Sequence, residues 1–188
     1  GGNAAAKFER AFDGRRARLE AAAKEVWGGF RRTWGVVYVA WDEKDGAILG
    51  RGMPWAFLRY RDLPTGSVTS IEAKIGLGKD TVAGGLAVGA KTPEDLVGVV
   101  LRREGRIHLT VRRRGAWADL GVYELPGGPP RQPVPIKLTV RGLELLVDVA
   151  GIPAMRADAA AAGLGFADFT APCGLFAESG DVTFEDVK

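Results

Sequence analysis

In the segment RRRGAWADLGVYEL, Trp117, Asp119 and Tyr123 share one parity, while RIHLTVRR just upstream alternates Ile107, Leu109 and Val111 with His108, Thr110 and Arg112. Joined as a hairpin, the two segments place all six polar and aromatic side chains on one outer face. Aromatic rings stack on the apolar faces of sugars, and polar groups beside them hold and orient a ligand. Trp117, Tyr123, Asp119, His108 and Arg112 are therefore the candidate ligand-binding residues, the alternative being that Trp117 and Tyr123 are ordinary core or edge aromatics. Arginines 102, 103, 106, 112, 113 and 114 crowd the same region. They read either as a solvated edge that resists aggregation or as a surface for an anionic glycan or an acidic protein.

Other chemistry finds less support. In FEDVK, Glu185 and Asp186 are adjacent, so on a strand they point to opposite faces and cannot act as a pair. WDEKDG, around Asp42 and Asp45, reads as a solvated turn and places Lys44 and Gly46 where a calcium loop needs oxygen ligands. His108, the single histidine, reads as a surface residue on a polar strand face. GLGKDTVAGG lacks the Gly-Lys-Ser/Thr ending of a phosphate loop and lies between strands. Cys173 is the sole cysteine, which excludes an intrachain disulfide and any multi-cysteine metal site; in FTAPCGLF it reads as a small buried hydrophobe. No catalytic residue, metal site or cofactor is expected.

A chain of 188 residues is long enough to bury a core in one domain plus an appendage. With 46% hydrophobic and 26% charged residues the composition is that of a soluble protein, and no apolar run reaches the roughly 20 residues of a membrane helix. A net charge of +3 is mild and by itself argues neither for nor against nucleic acid, and none is expected as a partner. The Gly1-Gly2-Asn3 start suggests a processed or excised chain.

Two kinds of element must carry these residues. Residues 4–30, rich in Ala, Arg, Lys and Glu and free of proline, predict one N-terminal α-helix ended by Gly28-Gly29. Phe12, Leu19 and Val26 recur every seven residues, with Phe8 and Ala22 alongside, so the helix carries an apolar stripe interrupted by Arg15 and Gly29. It either packs on its own domain or links chains as a homo-oligomer. From residue 33 to 188 the period becomes two. SVTSIEAKIGL, RIHLTVRR and PIKLTVRGLELLVDVAG alternate apolar and polar residues, and glycine turns are expected at Glu104-Gly105, Arg141-Gly142, Ala150-Gly151 and Ser179-Gly180. WGVVYVAW, apolar on both faces, is expected mid-sheet. About a dozen strands suit an all-β, two-sheet antiparallel β-sandwich of the jelly-roll kind. Ile71, Ile75, Leu109, Val111, Leu138, Val140, Leu145, Val147 and Phe184 occupy the core parity.

The closing GLFAESGDVTFEDVK resembles the final pair of strands of concanavalin A-like lectin/glucanase domains. LTVRGLELLVDVAGIPA resembles their strand pair ending in a V-D-G turn, with Ala150 where Asp is usual, and SVTSIEAKI with VAGGLAVGA resembles their early pair. The likeness spans about residues 55–188. It implies a jelly roll whose last strand pairs centrally with the strands near its start. Glucanases of that superfamily carry Glu-x-Asp-x-(x)-Glu on one strand, with two carboxylates about 5.5 Å apart when configuration is retained. This string is missing here. The resemblance thus implies a non-catalytic module that binds carbohydrate or a surface partner. A structural appendage of a virion or cell-surface assembly, attached or oligomerised through the helix, and a divergent glycoside hydrolase are the alternatives. An extracellular or surface-associated setting is expected.

Overall fold

The computed structural model of the protein describes residues 34–36, 41–60, 63–64, 66, 68–92 and 94–188. The helix expected over residues 4–30 lies outside them. Twelve strands run β1 (Trp34–Val36), β2 (Trp41–Lys44), β3 (Ala47–Tyr60), β4 (Val68–Leu77), β5 (Ala83–Thr92), β6 (Asp95–Arg102), β7 (Arg106–Arg113), β8 (Ala116–Glu124), β9 (Val134–Arg141), β10 (Glu144–Val149), β11 (Ile152–Asp158) and β12 (Gly174–Glu185). Two short 3-10 turns, Ala160–Ala162 and Phe166–Phe169, precede β12.

All pairings are antiparallel, and two long strands belong to both layers. The second half of β12 pairs with β4, its first half with β5, and β3 follows β12 along nearly its whole length. One sheet therefore runs β11-β10-β9-β4-β12-β3-β2, and the other runs β8-β7-β6-β5-β12-β3-β1. The last strand does pair centrally with strands near the start.

Ser179-Gly180 is not a hairpin turn. It is a bulge within one strand, where Ser179 has φ +49°, Gly180 has φ +136° and the register to β3 shifts. Such a bulge bends a strand and sharpens its twist, which lets β12 cross from one sheet to the other. Thr81, 1% exposed, pins the bend by donating its hydroxyl to the carbonyl of Asp181 at 2.6 Å.

Two more local readings change. Arg141 pairs with Glu144, so the β9–β10 turn is Gly142-Leu143, one residue later than expected. Within WGVVYVAW, β1 and β2 pair with β3 alone among the described residues, which places them beyond β3 at the end of each sheet instead of mid-sheet. Ala150-Gly151, with φ +51° and +78°, is the two-residue turn expected before β11, both residues left-handed as a type I′ turn requires.

The nine residues assigned to the core parity all lie between the sheets and are at most 5% exposed. Burying side chains of this size stabilises the fold by roughly 1.5–3 kcal/mol each.

Candidate functional site

The outer face of the second sheet carries the candidate residues. On β7, Ile107, Leu109 and Val111 point into the core, so His108, Thr110 and Arg112 point outward. Arg112 pairs with Trp117 and Thr110 with Asp119 on β8. His108 Nδ1 lies 2.9 Å from Asp119 Oδ2, and the Arg112 guanidinium sits 5.1 Å from the centre of the Trp117 ring. Four of the five candidates therefore meet on one patch two strands wide.

Tyr123 does not join them. A bulge between Leu109 and Thr110 leaves Leu120 unpaired, so Gly121 faces Leu109 and Tyr123 faces Ile107. That extra residue inverts the parity of β8, and Tyr123 packs against the main core. Alternation read straight through the strand cannot reveal such a step.

Burial lowers the pKa of Arg112, against the opposing pull of Glu94, Glu178 and Asp95. Three of the other arginines meet separate partners. Arg106 meets Glu124 at 3.4 Å, Arg103 meets Asp80 at 4.0 Å, and Arg113 donates to the carbonyl of Gly163 at 2.9 Å.

A second apolar cluster on this same face has no counterpart in the sequence reading. Phe57, Ala83, Ala87, Ala90, Leu96, Val100 and Phe176 are 0–3% exposed, with Trp117 packed against them. Trp117 and Phe176 approach at 5.9 Å between ring centres. The Phe176 ring settles over Gly85, where a Cβ would strike both the ring and, at 2.5 Å, the carbonyl oxygen of Val99. VAGGLAVGA and DLVGVVL had carried the signal: neither alternates, as expected of strands covered on both faces.

The outer face of the first sheet is different. Its shallow depression is lined by Glu72, Lys74, Lys137, Asp148, Asp186 and Lys188, with Lys74 and Asp186 paired at 2.7 Å. Among the residues lining it there is no aromatic ring for a sugar to stack on. Asp42, Glu43, Lys44 and Asp45 are exposed around the β2–β3 turn, and no cluster of metal-binding side chains occurs among the described residues.

Comparison with known proteins gives the fold a class. The chain superposes on the carbohydrate-binding module CBM66 from Bacillus subtilis with a TM-score of 0.70 and 17% identity, covering 82% of this chain and 93% of that one. It superposes on the catalytic domain of an endo-1,3-β-glucanase (laminarinase) from Thermotoga petrophila with a TM-score of 0.53 and 14% identity, over 80% and 79% of the two chains. The endo-β-1,3-glucanase of Pyrococcus furiosus gives 0.52 and 14%, over 77% and 67%. The fold is that of the concanavalin A-like jelly rolls. No family model matches the sequence, and no curated protein matches it.

Proposed function

We propose that the protein is a non-catalytic sugar-binding sandwich, and that its ligand lies over the outer face of β7 and β8, against Trp117, Asp119, His108 and Arg112. The observation that carries this reading is the convergence of an indole, a carboxylate–imidazole pair and a guanidinium on two neighbouring strands. These groups supply a stacking surface together with hydrogen-bond donors and acceptors. The fold shared with a carbohydrate-binding module supports it as analogy only. On this reading the protein works at a glycan-bearing surface or outside the cell.

Hydrolysis fits the same face poorly. Asp119 and Glu124 stand five residues apart on β8, roughly 15 Å along a strand, and Glu124 is paired with Arg106. Paired glycosidase acids sit ~5–9.5 Å apart.

A glycan array on the intact chain, followed by titration of the sugars retained, tests the proposal. Trp117→Ala and Asp119→Ala should each weaken binding by about tenfold or more, equivalent to about 1.4 kcal/mol. If no glycan is retained, or both variants bind as the parent does, the reading fails.

A further inference from the structure

Thr110 stands at the centre of the β7–β8 patch. Its neighbours on the same face of β7 are His108 and Arg112, and its partner across the ladder is Asp119. The residue is 2% exposed and donates its hydroxyl to the carbonyl of Ala118 at 3.0 Å. Ala118 is the residue between Trp117 and Asp119. One buried hydroxyl therefore holds the point of β8 from which both outward side chains depart.

The register of β8 needs such a hold. Among the described residues β8 pairs with β7 alone, and it carries the bulge at Leu120, directly after Asp119. An extra residue in a ladder turns every position beyond it to the opposite face. A bulge displaced toward the β7–β8 turn would set Asp119 opposite Val111, which faces the core. The His108–Asp119 pair depends on the same register. His108 stands opposite Val122, beyond the bulge, yet its Nδ1 meets Asp119 Oδ2 at 2.9 Å, so the contact runs diagonally across the bulge.

We infer that Thr110 is the positioning residue of this face: its hydroxyl fixes the bulge after Asp119 and so selects Trp117 and Asp119 as the groups of β8 that meet a ligand. The inference rests on the reading of β7 and β8 as the ligand surface, and it adds a residue that acts through β8. The chain uses the same device at its other functional bend. Thr81, 1% exposed, donates to the carbonyl of Asp181 beside the Ser179-Gly180 bulge. Thus two of the three buried polar residues among the described ones are threonines that bond a carbonyl next to a bulge.

His108 is the sole histidine, so its ring nitrogens give one assignable pair of signals in a proton–nitrogen NMR spectrum of the full chain. The Asp119 carboxylate holds a proton on Nδ1, whereas a released imidazole averages between tautomers. Thr110→Val exchanges the hydroxyl for a methyl and should move both signals toward the averaged positions. It should also weaken binding of the sugars that the parent retains on the array by about fivefold, equivalent to about 1 kcal/mol. Thr110→Ser keeps the hydroxyl and should retain the parent's signals and binding, while Thr110→Ala should follow the valine variant. This second pair decides the matter if the valine variant fails to fold. Ring signals that ignore the hydroxyl, alike in threonine and valine or alike in serine and alanine, would overturn the inference, as would unchanged sugar affinity in a variant whose ring signals have moved. If the parent retains no sugar, the reading of the ligand surface fails, and the NMR comparison still decides whether Thr110 sets the positions of β8.

Discussion

His108 Nδ1 lies 2.9 Å from Asp119 Oδ2, while its buried Nε2 has no hydrogen-bond partner among the described residues. The imidazole, whose side chain is 16% exposed, therefore has Asp119 as its anchoring partner. Asp119→Ala leaves both ring nitrogens unsatisfied and should cost about 1–2 kcal/mol. Asp119→Asn keeps an acceptor oxygen and should stay within about 0.5 kcal/mol of the parent. Urea unfolding distinguishes them; equal midpoints for the parent and both variants would show that the pair does not hold the ring.

Gly84 on β5 and Val182 on β12 meet inside the core, close to where β12 bends between the sheets. A Cβ on Gly84 would stand 2.5 Å from Cγ1 and 2.9 Å from Cγ2 of Val182. Gly84→Ala should therefore destabilise by about 1–3 kcal/mol through overpacking. Val182→Ala alone should cost about 2 kcal/mol by opening a cavity. The double variant removes both Val182 methyls and places one at position 84, relieving the clash and part of the cavity together, and should be more stable than the sum predicts, by about 1 kcal/mol. Strict additivity in a double-mutant cycle would contradict this contact.

The legibility of the fold follows the alternation of its strands. Leu138 and Val140 on β9, Leu145 and Val147 on β10, and Ile71 and Ile75 on β4 were readable because each strand buries one face and wets the other. Bulges were unreadable, since one extra residue inverts every position beyond it without changing composition. Leu120 did this to Tyr123, and Ser179-Gly180 joined two apparent strands into one. The second apolar cluster was half readable. Its signal lay in the apolar, non-alternating runs of β5 and β6, the pattern of strands covered on both faces, which the alternation-based reading passed over.

Trp41 carries a polar group the core does not satisfy. It is 1% exposed, tilts against Phe184 at 5.9 Å between ring centres, and its indole N–H has no partner among the described residues. Removing that N–H recovers a burial penalty of about 1–3 kcal/mol, which offsets the volume lost in Trp41→Phe. The phenylalanine variant should thus fall within about 1 kcal/mol of the parent, whereas Trp41→Ala should cost about 3–5 kcal/mol. Thermal melts of the two variants check it; a phenylalanine variant as unstable as the alanine one would mean that ring volume alone decides this position.

Cys173 packs against the main core, and burial pushes its thiol up to about 11. In the unfolded chain a thiol titrates near 8.5. The native state thus binds the proton more tightly, so the thiol's contribution to stability is complete below about pH 8.5 and is lost as pH rises toward 11. The thiolate is the nucleophile, so at pH 8 the folded protein should react with iodoacetamide at least a hundredfold more slowly than the same chain in denaturant. Cys173→Ser should also flatten the alkaline decline in stability between pH 8.5 and 11. Mass spectrometry of timed alkylation provides the first readout and urea midpoints across that range the second. Labelling of the native chain at the rate of the denatured one would place Cys173 outside the packed core.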